Sequence, residues 1–210
     1  MSRSFAKAEE FIAQISSRRS IYGLGRRTIL NDKDLIGLIK QSVRESPTSF
    51  NSQSSRIVIL LGKEHERYWN QIAIPALRKA VGNDDEAFEK GSKRMIQFRD
   101  AYGTVLFYED QNAIKKMQEK VAIYADRFPQ WSLQSSGMAQ VNTWSALSLA
   151  GYGANLQHYG NLTQKPLTEA FDIPTNWHLY SELVFGSPEN EAKEKTYIED
   201  SERFRIFGSQ

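Results

Sequence analysis

The 210-residue chain contains no cysteine, which removes disulfides, thiol catalysis and cysteine metal sites and fits a reducing compartment. Long apolar runs are missing too: no window approaches the length of a membrane span. The opening stretch, MSRSFAKAEEFIAQI, carries charges throughout and lacks the apolar core of a signal peptide, so a cytoplasmic location and no membrane partner are expected. Nor is there an excess of charge of one sign. Lysine and arginine number 27 against 25 acidic residues, short of the concentrated basic face a duplex-DNA binder needs. No nucleic-acid partner is expected, although Arg18, Arg19, Arg26 and Arg27 form a local cluster that such a binder would use. The three histidines, His65, His158 and His178, are too far apart for a local metal signature, and no metal is expected. Gly23-Leu24-Gly25 and Gly151-Tyr152-Gly153 each lack the third glycine of a dinucleotide fingerprint, and there is no Walker A or GxSxG sequence. Low-complexity runs and linkers are also absent, which favours one domain over residues 1–210.

One local absence organises the rest. Between Arg127 and Lys165 there is no Asp, Glu, Lys or Arg, although charged residues make up 25% of the chain. The segment is therefore expected to be largely buried. Met138, Val141, Trp144, Leu147 and Leu149 recur at helical spacing, with small residues between them, the pattern of a central helix packed all round. Gly151 and Gly153 end it, and Ala154-Asn155-Leu156-Gln157-His158 continues as a polar but uncharged turn. Two readings fit, a plain core helix and a helix running into a pocket wall.

Around this helix the pattern predicts an amphipathic helix over 4–16 (Phe5, Ala8, Phe11, Ile12 and Ile15 on one face) and a second from an Asn31 or Asp32 cap to Arg44. Buried strands are predicted over 57–61 and 104–108. Further helices are expected over 64–79, over 111–126 with Ile123 and Tyr124 inward, and over 163–171 with Pro166 in the first turn. Residues 177–186 read as a strand, 187–199 as a hydrophilic excursion, and 203–207 as a short alternating strand that must join an existing sheet edge.

Two stretches carry donor chemistry. Arg18-Arg19-Ser20 follows the first helix and suits a phosphate monoester, although arginines at a helix C-terminus also favour the dipole. Ser46 to Arg56 is crowded with hydroxyls and carboxamides, which serve either an ordinary capped turn or a planar heterocycle.

In order and spacing, the Arg-Arg-Ser, the Pro-Thr-Ser-Phe-Asn-Ser-Gln loop, the uncharged Gly-Tyr-Gly-Ala-Asn-Leu-Gln-His turn and the terminal Arg203-Phe204-Arg205 resemble the FMN-dependent nitroreductase family. NSQSSR (from Asn51), WSLQSSGMAQ (from Trp131) and GANLQHY (from Gly153) are similar to its short branch, named after the fatty acid repression mutant. Tyr22 departs from the wider pattern, where many members have Lys or Arg, as do Ser54-Ser55, where many have Pro-Trp.

The resemblance implies an α+β nitroreductase-like fold: a central, mostly antiparallel sheet flanked by helices, with the C-terminal strand added to the sheet of the partner subunit. It implies FMN as cofactor at the interface of a homodimer. Arg18, Arg19, Ser20, Tyr22, Arg203 and Arg205 would lie around the phosphate. Thr48, Ser49, Asn51 and Gln53 would come from the other subunit, and Asn155, Leu156, Gln157 and His158 would pass along the isoalloxazine. Phe50 and His158 are the candidates for lining the substrate pocket. The implied activity is an NAD(P)H-dependent oxidoreductase: hydride passes to flavin N5, the nicotinamide leaves, and a nitroaromatic or quinone takes its place. No side-chain nucleophile, acid or base is required. A flavin-binding regulatory protein with little turnover is the alternative.

Overall fold

A computed structural model describes residues 3–208; residues 1, 2, 209 and 210 of the expected domain lie outside the described residues. Helix α1 (Arg3–Ser17) leads through the two-residue strand β1 (Leu24–Gly25) to helix α2 (Asp32–Arg44). The Asn31 side chain accepts the Asp34 N–H at 3.0 Å, the N-cap bond that starts α2, and Leu35 and Ile39 are its buried face. A 3-10 turn (Ser49–Asn51) precedes strand β2 (Ser55–Leu61).

Helix α3 (Gly62–Arg67), a π-helical segment (Tyr68–Ala73) and helix α4 (Ile74–Val81) occupy the region expected as one helix, the π segment burying Tyr68, Trp69, Ile72 and Ala73. Helix α5 (Asp85–Arg99) follows, capped by Asp84, and then strand β3 (Gly103–Asp110). Helix α6 (Gln111–Lys120) and a 3-10 turn (Ala122–Tyr124) lead to helix α7 (Phe128–Leu149), strand β4 (Gly153–Gln157), helix α8 (Gly160–Phe171), strand β5 (Trp177–Pro188) and the short helix α9 (Asp200–Arg203).

The sheet runs β1-β5-β3-β2 with β4 also paired to β5, and every ladder is antiparallel. Val105, Phe107, Leu183 and Phe185 face Leu35, Ile39, Ala139 and Leu147 of α2 and α7. Leu60, Leu106, Tyr108 and Val184 face Tyr68, Trp69, Met95, Phe98 and Leu167. Each central strand is thus buried on both faces, which explains continuous apolar runs in place of alternation.

The structure corrects several expectations. β4 is a strand, not a turn: it lies along β5 with Asn155 opposite Val184 and Gln157 opposite Glu182. Ile123 is 80% exposed and Tyr124 is exposed as well, because α6 stops at Lys120 and the chain turns away before reaching them. Helix α8 begins at Gly160, so Pro166 sits in its interior and not in its first turn. Residues 203–207 do not form a strand in this chain's sheet: α9 ends at Arg203, and 204–207 run on exposed, unpaired with any strand among the described residues.

Helix α7 is not packed all round within the chain. Its small side, Ser132, Ser135, Ser136, Ala139 and Thr143 with Leu147, is buried, while Leu133, Val141 and Leu149 are exposed. Phe11, Ile12 and Ile15 of α1 are exposed too. Monomeric proteins rarely leave apolar area of this kind contiguous and uncovered.

Two buried ionisable groups tie the fold to pH in opposite senses. Glu182 accepts bonds from the Tyr68 hydroxyl (3.2 Å) and the Tyr159 N–H (3.0 Å), with no cation paired to it among the described residues. Burial pushes its carboxyl from 4.5 up to about 7. The folded chain therefore holds this proton more tightly than the unfolded one, so stability falls as pH rises from 4.5 through about 7. His65, bonded to Thr104 and to the Arg99 carbonyl, is pushed from 6.5 down to about 4 by burial, so its contribution is lost as pH falls through that interval. In Glu182→Gln, whose one carbonyl oxygen can take the place of Oε1, the oxygen that accepts from both Tyr68 and Tyr159, the loss of unfolding free energy between about pH 5 and about pH 8 is expected to shrink by roughly 2–3 kcal/mol. Denaturant titrations across that range check it; an unchanged slope would contradict the assignment.

Candidate functional site

The end of α1 delivers Arg18, Arg19 and Ser20 to one edge of the sheet. Ser20 forms a parallel bridge with Ala154 of β4, and the Ile21 N–H donates to the Ala154 carbonyl at 2.9 Å. The Asn155 side-chain amide returns a bond to the Ile21 carbonyl at 2.8 Å, and Gln157 Nε2 donates to Asn155 Oδ1 at 2.8 Å. Gly153 is what permits the approach, since a Cβ there would meet Leu24 Cδ2 at 2.9 Å and Ile21 at 3.1 Å. Gly151, at φ +93°, turns the chain from α7 into β4. These contacts put the Arg-Arg-Ser sequence beside the uncharged Asn155–Gln157 strand, two stretches more than a hundred residues apart in the chain.

Arg18, Arg19, Ser20 and Tyr22 line a cavity of about 330 Å³ together with Lys193, Glu194 and Lys195. The Arg18 guanidinium lies 4.3 Å from the centre of the Trp144 ring on α7, and burial, with Arg19 beside it, lowers its proton affinity. Arg19 donates to the Lys193 carbonyl, which fastens the segment after β5 over the cluster. Lys193 and Lys195 lie in what the sequence presents as a hydrophilic excursion; their alternation with glutamates gives no signal of a site. Arg26, by contrast, pairs with Glu66 and bonds to the Arg99 carbonyl, so it is held on a different part of the fold from Arg18 and Arg19.

The loop before β2 is built around a buried carboxylate. Ser54 and Ser55 hydroxyls donate to Glu109 at 2.5 and 2.6 Å. Burial raises the Glu109 carboxyl, and the serine bonds oppose that shift. The two serines that depart from the wider pattern thus have a structural partner, one their sequence position does not reveal. Above them Phe50, Asn51 and Gln53 all adopt left-handed backbone, at φ 55°, 51° and 49°. Three such non-glycine residues in four positions store strain that the surrounding bonds must hold, a feature concentrated at functional loops. Thr48 Oγ accepts the Gln53 N–H at 3.0 Å, and the Ser49 N–H donates to Ser135 Oγ at 3.4 Å. Phe50 is 56% exposed and stacks at 5.8 Å on Trp131, with Phe128 and Tyr124 beside it. His158, at the end of β4, is exposed, and Leu156 packs against the core shared with α7.

The two terminal arginines do not line the cavity in this chain. Arg205 donates to the Ser201 and Phe204 carbonyls of its own segment, and Arg203 lies near the Phe204 ring. No group of three or more metal-ligating side chains occurs among the described residues, and none of their helices is long and apolar enough to cross a membrane.

The profile of the nitroreductase family matches residues 15–187. Over 191 residues the chain is 35% identical to the nitroreductase FRM2 of Saccharomyces cerevisiae, covering 90% of this chain and 93% of that protein. FRM2 is the fatty acid repression mutant protein, in agreement with the narrower resemblance read from the motifs. Nitroreductase CinD from Lactococcus lactis, solved in complex with chloramphenicol, is 42% identical with a TM-score of 0.87, covering 94% of this chain and 99% of that one. The same protein in complex with 4-nitrophenol gives a TM-score of 0.85 at 42% identity and the same coverage.

Proposed function

The chain belongs to the nitroreductase family, and from that premise we propose that it is a single-domain, homodimeric FMN enzyme that oxidises NAD(P)H and reduces nitroaromatic or quinone acceptors. The observation carrying this reading is the bridge that places Arg18, Arg19 and Ser20 beside β4. A flavin mononucleotide needs cationic and hydroxyl donors for its phosphate and, a short distance away, an uncharged polar edge for its ring. The residues present fit both demands. Arg18, Arg19 and Ser20 would hold the phosphate, with Lys193 and Lys195 adding charge and with Arg203 and Arg205 completing it in the assembled dimer.

Asn155, Leu156, Gln157 and His158 would flank the ring, with Tyr22 at the junction. Thr48, Ser49, Asn51 and Gln53 would reach the site of the other subunit, so that the strained loop is fixed on both sides. When bound, FMN supplies hydride acceptance and delivery at N5. The chain's own part is to bind, orient and exclude water; no catalytic acid or base is assigned. Phe50 and His158 border the place where an acceptor ring would lie. The exposed apolar faces of α1 and α7 would form the dimer core, and the 204–207 segment would find in the partner's sheet the edge it lacks here. The CinD complexes with 4-nitrophenol and chloramphenicol support nitroaromatic acceptors. A cytoplasmic location suits this chemistry.

Initial rates with NADPH varied at several fixed 4-nitrophenol concentrations test the scheme. Parallel double-reciprocal lines are expected from two half-reactions at one site; intersecting lines would overturn it.

A further inference from the structure

Next to the cavity at Arg18, Arg19 and Ser20, and sharing Tyr22 and Lys193 with it, lies a second groove of about 420 Å³ lined by Tyr22, Lys90, Lys93, Arg94, Gln97 and Lys193. Lys90, Lys93, Arg94 and Gln97 are spaced three, four and seven residues apart on α5, one face of the helix, so the groove has a basic wall about 10 Å long. No carboxylate lines it, and none of its four cations makes an ion pair among the described residues. Arg94 is held in place without an acid: its guanidinium lies 5.5 Å from the Tyr22 ring centre and 5.8 Å from that of Phe98. The Phe98 ring in turn lies 6.4 Å from that of Tyr159, just past the end of β4. The wall therefore starts near the strand assigned to the flavin ring and runs outward over Lys93 and Lys90 to solvent.

The neighbouring cavity has its own cations, Arg18, Arg19, Lys193 and Lys195 against the single carboxylate of Glu194, enough for one phosphate monoester without help from α5. The further cations on α5 call for a second anionic group. Because they are exposed on an open groove, they suit a ligand that comes and goes better than a resident cofactor.

We propose that this groove is the subsite for the adenosine 2′-phosphate of the reducing dinucleotide, and that Lys90 and Lys93 make the protein select NADPH over NADH. The inference rests on the proposed function and deepens it. A phosphate dianion placed between two lysines gains charge-assisted bonds that the 2′-hydroxyl of NADH cannot match, worth about tenfold in affinity for each lysine.

The test uses the FMN-loaded full chain. Calorimetric titration with adenosine 2′,5′-bisphosphate and with adenosine 5′-monophosphate reads the subsite without turnover, and the ratio of kcat/KM for NADPH to that for NADH reads its effect. The wild-type chain is expected to bind the bisphosphate at least about tenfold more tightly and to prefer NADPH, with both preferences lost in Lys90→Ala/Lys93→Ala and reduced in Lys93→Glu. Both lysines are exposed, so the variants leave the core untouched. Equal affinity for the two adenosine nucleotides, or an unchanged NADPH/NADH ratio in the variants, would overturn the subsite. So would variants that lose FMN affinity instead, since the groove would then belong to the flavin. A wild-type chain that takes up no FMN would instead sink the proposed function, an outcome visible before any nucleotide is added.

Discussion

Replacing Arg18 and Arg19 together with alanine is expected to lower FMN affinity by roughly 10²–10⁴-fold, so that the purified protein is colourless. Each charge-assisted bond from a guanidinium to phosphate contributes about 1.5–3 kcal/mol, and two such donors account for about 3–6 kcal/mol of binding. Arg18 also rests on Trp144, so its removal loosens the junction of α1 with α7. Arg26→Ala is the informative control, because Arg26 is engaged with Glu66 and the Arg99 carbonyl away from the cavity. Flavin fluorescence titrations check both variants. Full affinity in the double variant would remove the phosphate assignment, and an equal loss in Arg26→Ala would show that the effect is general charge rather than the cluster at the α1–β4 junction.

Val141→Glu is expected to convert the protein to monomers and, in the same step, to abolish flavin binding. Val141 lies on the exposed side of α7 with Leu133 and Leu149, while the side toward the chain's own sheet is made mostly of small residues with Leu147. A helix with its larger apolar side chains turned outward is stable in water only if something covers them. If α7 forms the core of the proposed dimer, a carboxylate buried there in each subunit costs several kcal/mol per ion even after relaxation, so dimer dissociation is expected to rise by about 10³-fold or more. If the ring is held between subunits, FMN leaves with the partner. Light scattering on eluting fractions together with the flavin absorbance gives both readouts. A monomer that still binds FMN tightly would place the whole site within one chain. A dimer unaffected by the substitution would move the interface off α7.

Much of the framework was legible in the sequence because its periods were clean. The Asn31 cap and the spacing of Leu35 and Ile39 gave α2 within its observed bounds, and the apolar runs around 57–61 and 104–108 gave β2 and β3. β4 was not legible. Its Asn155 and Gln157 break the apolar run of a buried strand, and the Asn155 amide N–H finds its acceptor in the Ile21 carbonyl, far away in sequence. The charge-free 128–164 region, expected to be largely buried, is so only in part within this chain: Phe128 and Leu147 of α7 reach the core, but Leu133, Val141 and Leu149 are exposed, a division that a hydrophobic count cannot show. The same limit explains Ile123, apolar yet 80% exposed.

For the site, Arg18, Arg19 and Ser20 were findable because three donors in a row have a chemistry of their own. Lys193 and Lys195 join them only through the fold, from a segment whose composition is that of any solvated loop. Glu109 was hidden for the opposite reason: a single acid at the end of a strand shows its role only when Ser54 and Ser55 are seen to point at it.

The most direct test of the account is an anaerobic absorbance titration of the purified protein. The protein is predicted to carry an FMN band that bleaches when NADPH is added and returns when 4-nitrophenol or a quinone follows. Bound flavin that no reduced pyridine nucleotide bleaches would contradict the oxidoreductase scheme while leaving the site intact. A chain that neither contains nor takes up FMN would contradict the site itself.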